Sequence, residues 1–171
     1  MQGYVQVYTG DGKGKTTAAL GLALRSVGAR LKVFIGQFAK GMEYSEINAL
    51  REKLPEITIR QYGRDCFIIN KPTTDDIKLA RQGLAEISQI IQSGEYDMVI
   101  LDEANIAVYF GLFSIDELLE VIRSKPSNLE LIITGRNAHP ELVKAADLVT
   151  EMLEIKHYYQ KGVKARKGIE S

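Results

Sequence analysis

Apolar residues along this chain fall into short unbroken runs, separated by longer stretches in which apolar positions recur about every three to four residues. The runs lie at 4–8, 32–37, 57–61, 98–101, 129–134 and 148–152, and their length and continuity predict strands buried on both faces. Between them, 15–27, 44–53, 75–92, 114–123 and 140–145 carry helical spacing, and Ser114 followed by Glu117 reads as a capping-box start. Strands alternating with helices predict an α/β fold: a mostly parallel sheet of about six strands, covered by helices on both sides. Two stretches, 63–74 and 156–171, follow neither period. Patternless segments of that length are functional loops or disordered ends.

Composition narrows this picture. A chain of 171 residues, 45% hydrophobic and 26% charged, suits one globular domain. Residues 1–155 form that domain, and 156–171 form a basic C-terminal tail. The 22 basic and 22 acidic side chains cancel, so no overall positive field draws in nucleic acid or an anionic membrane, and neither is expected as a partner. An anion has to be held locally. The single cysteine, Cys66, excludes an internal disulfide, and with two separated histidines it makes no zinc pattern. The start, Met1-Gln2-Gly3-Tyr4-Val5, has no basic n-region or long apolar segment, and no later run is long enough for a membrane span. The expected location is the reducing cytoplasm.

The local anion site is legible after the first strand. Thr9-Gly10-Asp11-Gly12-Lys13-Gly14-Lys15-Thr16-Thr17 stands between that strand and an alanine-rich helix, the context a phosphate-binding loop requires. Glycines let the loop curl so that N–H groups converge on phosphate oxygens, the helix N-terminus adds its positive dipole end, and Lys15 adds a charge. Thr16 offers a hydroxyl to Mg²⁺. The usual spacing has a glycine where this chain has Thr9, so the loop is tighter than the common form. A dinucleotide-binding reading fails, because Gly14 follows Gly12 too closely and the second strand ends in Gly36-Gln37 with no acid for a ribose.

Ligands of open parallel sheets sit beyond the carboxyl ends of the strands, so those ends identify the remaining candidates. Asp102 and Glu103 follow the fourth strand, where a carboxylate holds Mg²⁺ opposite Thr16. Arg136, after the fifth strand, either meets phosphate or pairs with a surface acid. Arg25 lies ten residues past Lys15 on the same helix, about 15 Å along its axis, and reaches a distal part of a ligand or a salt bridge. His139 before Pro140 reads as a helix cap, and Cys66 as an ordinary thiol. The triplet Phe67-Ile68-Ile69 is a core plug or an apolar ligand contact, and the tail is a solvated end or a flap over an anion. On these residues alone, an ATP hydrolase or kinase and a non-catalytic ATP-binding module stay open as alternatives.

The ordered motifs resemble a known family, the P-loop ATP:corrinoid (cob(I)alamin) adenosyltransferases. The resemblance rests on Thr9 to Ala19, Gln37-Phe38 with Lys40-Gly41, Leu101-Asp102-Glu103, Thr134-Gly135-Arg136, Ala146-Asp147, Thr150-Glu151-Met152, and Lys156-His157 through Gly168-Ile169-Glu170. It implies a P-loop NTPase-like (RecA-like) three-layer α/β/α fold. It also implies ATP bound in reverse, with its γ-phosphate where other P-loop enzymes hold the α-phosphate, which accounts for Thr9. The implied reaction is attack of the Co(I) of a reduced corrinoid on C5′ of ATP with release of triphosphate. Lys15, Thr16, Asp102 and Glu103 would be the catalytic set. Thr9, Gly10, Asp11, Gly12, Lys13, Gly14, Lys15, Thr16, Thr17, Arg25 and Arg136 would bind the nucleotide, and Thr16, Asp102 and Glu103 would hold Mg²⁺.

The same resemblance implies a homodimer and a flavoprotein-type reductase that supplies Co(I). Some relatives carry a phenylalanine and a tryptophan in the loop after the third strand, where they displace the lower axial ligand of cobalt. This chain has no tryptophan, and Phe67 is the nearest candidate for that aromatic role. Some relatives also carry an N-terminal extension over the site; here the expectation is that the tail compensates.

Overall fold

The computed structural model describes residues 2–39, 44–64 and 71–170. Cys66, the triplet Phe67-Ile68-Ile69 and the pair Lys40-Gly41 lie outside the described residues. Strands β1 (Val5–Thr9), β2 (Val33–Phe38), β3 (Ile57–Tyr62), β4 (Met98–Asp102), β5 (Glu130–Thr134) and β6 (Leu148–Glu151) alternate with helices α1 (Lys15–Gly28), α2 (Ser45–Lys53), α3 (Thr74–Ser93), α4 (Ala104–Tyr109), α5 (Ile115–Ser124) and α6 (Pro140–Ala145). All six strands are parallel, in the order β3-β2-β4-β5-β1-β6. Every strand pair on the same sheet must then be joined by a crossover, which is why helices cover both faces.

The pleat sorts side chains between the two faces. Val33, Ile35, Ile100 and Ile132 pack with Ala19 and Ala23 of α1 and Leu50 of α2. Phe34, Phe38, Val99, Leu101, Leu131 and Ile133 face the other way, onto Leu84, Ile87 and Ile91 of α3 and Leu118 of α5. The result is three layers with two apolar interfaces, the expected P-loop NTPase-like arrangement. α3 comes very close to β3: a Cβ on Gly83 would lie 2.3 Å from Cγ of Tyr62, so only glycine fits there. β6 is different, an edge strand with Leu148 and Val149 exposed.

Strand and helix ends fall within one residue of where the hydrophobic period puts them. The Ser114/Glu117 capping box is present, and a second, Thr73 with Asp76, opens α3. Two elements were not expected. α4 is only six residues long, under two turns, so it cannot display a 3.6-residue period. A short 3-10 helix, Tyr158–Lys161, orders part of the tail.

Candidate active site

β1 brings the chain to the carboxyl edge of the sheet at Thr9, and α1 leaves it at Lys15. The turn between them needs left-handed backbone at Gly10 (φ 91°) and at Gly14 (φ 122°), the cap of α1. A second constraint acts on the same loop. The chain leaving β6 crosses it: Gly12 N–H donates to Met152 O at 2.7 Å, and Met152 N–H donates to Thr9 O at 2.9 Å. A Cβ on Gly12 would sit 2.8 Å from Leu153 O, and one on Gly10 would sit 2.4 Å from Met152 O. The glycines therefore serve the packing of residues 152–153 as well as the curl. α3 and α5 each carry two acids in the first turn, whereas α1 has none and no side-chain cap. The positive end of its dipole is left for an external anion.

Lys15 is buried and lies back across the loop, donating to Gly10 O and Gly12 O, each at 2.7 Å. Thr16 Oγ1 donates to Asp102 Oδ1 at 2.9 Å. Asp102 is 1% exposed and fully engaged: Oδ1 also accepts from the Thr134 hydroxyl at 2.6 Å, and Oδ2 from Gln37 Nε2 at 3.1 Å. Gln37 Oε1 accepts in turn from Gln61 Nε2 at 3.3 Å. The next residue, Glu103, takes a left-handed φ of 59° and donates its N–H to the same Thr134 hydroxyl at 3.1 Å. Strand order explains the convergence, because β5 lies between β1 and β4, so its tip, Thr134, stands between the loop and the acidic pair. Hydroxyls, carboxylates and a buried ammonium thus meet at one end of the sheet, an arrangement suited to gripping a polyphosphate with a hard cation.

Comparison with known proteins agrees with this geometry. The family model described as ATP:corrinoid adenosyltransferase BtuR/CobO/CobP matches residues 1–171. A corrinoid adenosyltransferase of Pseudomonas aeruginosa is 34% identical over 99% of this chain and 84% of its own length. One from Escherichia coli K12 is 34% identical over 99% of this chain and 86% of its own, and the corrinoid adenosyltransferase CobA of Salmonella typhimurium is 33% identical over the same shares. The chain belongs to the ATP:corrinoid adenosyltransferase family.

For this adenosyltransferase-family chain, the sequence-expected residues divide into those that meet at the loop and those that do not. Thr9, in the place of a glycine, accepts from Ala138 N at 3.2 Å and so fastens the β5–α6 turn to the loop. Arg136 in that turn lies 3.9 Å from Asp11 Oδ1, with both side chains exposed. Thr17 is exposed on the first turn of α1. Lys13 meets the tail, donating to Ile169 O at 2.7 Å and Glu170 Oε1 at 3.0 Å. Arg25 sits exposed in the last turn of α1, about three helical turns from the loop; its charge is felt by Tyr8. His139 is the expected cap, its Nδ1 accepting from Glu141 N. Asp147 accepts from Val5 N at 2.8 Å and is structural.

Several residues of the site carried no role in the sequence reading. Gln37, Gln61 and Thr134 could have been found, since all three stand at carboxyl ends of strands. Asn105 donates to Gly135 O at 2.7 Å while its Oδ1 is buried with no hydrogen-bond partner among the described residues. Glu170 stood in the tail motif, but nothing in the sequence paired it with Lys13, 157 residues away.

Proposed function

We propose that this protein transfers the 5′-deoxyadenosyl group of ATP to the Co(I) centre of a reduced corrinoid, releasing inorganic triphosphate, in adenosylcobalamin biosynthesis or salvage. The observation that carries the reading is the family match over the whole chain, residues 1–171. The loop geometry supports it. In the reaction a Co–C bond forms at C5′ as the C5′–O bond breaks, and the electron pair leaves with the triphosphate. Co(I) is already a strong nucleophile, so what the protein has to supply is alignment and a cradle for the leaving group.

The chain's own residues are arranged for that cradle. Lys15 is bound to two loop carbonyls and exchanges them for phosphate oxygens at little cost in reorganisation. The open end of α1 meets the terminal phosphate. The Thr16 hydroxyl and Asp102 carboxylate are hard oxygen donors 2.9 Å apart, a pair that fits Mg²⁺, which keeps most of its waters. With Glu103 beside them they would hold that ion, which supplies charge neutralisation for the leaving triphosphate. Arg136 reaches the loop and Arg25 a distal contact. Phe67 remains the proposed aromatic contact to the corrin. A flavoprotein-type reductase is the proposed source of Co(I), and the exposed apolar edge strand β6 supports a homodimer.

The test is incubation with ATP, Mg²⁺ and chemically reduced cob(I)alamin. The corrinoid absorption spectrum should change to that of the alkylated form with one triphosphate released per turnover. ADP or orthophosphate as product would instead establish a kinase or hydrolase. Lys15→Ala should lower ATP affinity by at least about a hundredfold, through loss of a buried charge-assisted contact.

A further inference from the structure

The tail is folded back on the loop, and most of its contacts there converge on the Glu170 carboxylate. Lys13 Nζ has three donors, and all three are used: Ile169 O at 2.7 Å, Glu170 Oε1 at 3.0 Å and Tyr158 OH at 3.4 Å. Arg166 donates to the same carboxylate from its backbone N–H, from Nε and from Nη2, the last to Oε1 at 3.1 Å. The Tyr158 hydroxyl donates to Oε1 as well, and the Arg166 guanidinium lies over the Tyr158 ring, 5.0 Å from its centre. Glu170 Oε1 is thus shared by a cation of the loop and a cation of the tail. Exposure is uneven: the Glu170 side chain is 15% accessible, whereas Lys13 and Arg166 are 44% and 52% accessible.

An enclosed anion with two outward cations has a net positive face, and it stands beside the loop that receives a polyanion. We infer that Lys13 and Arg166 form a paired contact for the triphosphate, and that Glu170 is the positioning residue that assembles them. This rests on the adenosyltransferase reading of the loop. Two like charges do not stay this close unless an anion lies between them, and Glu170 supplies that anion before any ligand arrives. The Arg166 and Tyr158 hydrogen bonds hold its carboxyl well below the usual carboxylate range, so it stays ionised. The longest of the Lys13 bonds, to Tyr158, is the one exchanged for a phosphate oxygen, leaving the clasp closed.

Titration with inorganic tripolyphosphate tests this without any corrinoid. Arg166→Ala and Glu170→Ala should each weaken tripolyphosphate binding about five- to twentyfold, the scale of one charge-assisted contact. Both should raise KM for ATP by a larger factor than they lower kcat. Because Glu170 acts through the two cations, the loss in the double variant should fall short of the two single losses combined. Arg166→Lys should recover part of the loss, and thermal melting should show each variant folded. Unchanged affinity in Arg166→Ala, or tighter binding in Glu170→Gln, would overturn the proposal; the latter would make Glu170 a competitor of phosphate. Lys15→Ala separates the two readings. If Lys15→Ala loses tripolyphosphate and Arg166→Ala does not, only the clasp fails; if Lys15→Ala binds normally, the loop reading itself fails.

Discussion

Thr134 does two jobs with one hydroxyl, donating to Asp102 at 2.6 Å and accepting from Glu103 N at 3.1 Å. Thr134→Val keeps the shape and removes both bonds, leaving the Glu103 N–H and one Asp102 lone pair without that partner. The expected cost is about 1–3 kcal/mol, seen as a fall in melting temperature of about 3–10 °C. Turnover should fall more than ATP affinity, because Lys15 and the loop are untouched. Melting and kinetics of the purified variant check both. In the sequence, Thr134 stood as the polar residue after an apolar run and as part of the Thr134-Gly135-Arg136 motif, with no role attached to its hydroxyl. Its role depends on β5 lying between β1 and β4, and strand order is set by packing across the whole sheet, which no local pattern encodes. That Lys15, Thr16, Asp102 and Glu103 meet at one end of the sheet was legible, because the first two stand in the glycine-rich loop and the last two end an apolar strand.

At the scale of elements, the junction of β3 and α3 shows what local pattern does and does not reveal. Arg64, just past β3, grips both oxygens of Asp76 on α3, at 2.6 and 2.9 Å, and the Thr73 N–H and hydroxyl donate to the same carboxylate. The Arg64 guanidinium first, and Thr73 after it, lower the Asp76 carboxyl to a pKa of about 2, against the opposing effect of burial. With its folded value below the unfolded one of about 3.9, Asp76 contributes stability in full above about pH 4. That contribution is lost as pH falls toward 2. Asp76→Asn should therefore lower stability by about 1 kcal/mol at pH 6, a figure reduced by the 40% exposure of Arg64, and by almost nothing at pH 2. Urea unfolding at the two pH values measures the difference. Helix period located α3 within a residue, but the cap of the Thr73–Asp76 box, Thr73, lay in a stretch read as patternless, because capping works by hydrogen bonds and has no hydrophobic period. α4 was missed for the reason of its length, and the crossing of residues 152–153 over the loop because a backbone contact leaves no mark in the sequence.

Across the whole molecule, the glycine-rich loop, the acidic pair and the tip of β5 meet at one edge of the sheet, so filling the loop should stabilise everything hung from it. Tripolyphosphate alone, at about a hundred times its Kd, should add about 2.7 kcal/mol, or about 5–10 °C in melting temperature. Adenosine should add far less, and ATP with Mg²⁺ at least as much as tripolyphosphate. An equal shift with adenosine would mean that the base, and not the phosphates, is the main anchor. β5 shows how deep this dependence runs. In the ladder Tyr8 pairs with Thr134, and Leu101 with Ile133, so the loop strand and the acid strand are both read against β5. A single inserted or deleted residue within β5 would still leave an apolar parallel strand between them, yet it would turn the Thr134 hydroxyl to the opposite face. A strand with no substrate-facing acid thus acts as the reading frame of the active site: frameshifted by one pleat, the same set of side chains would spell nothing.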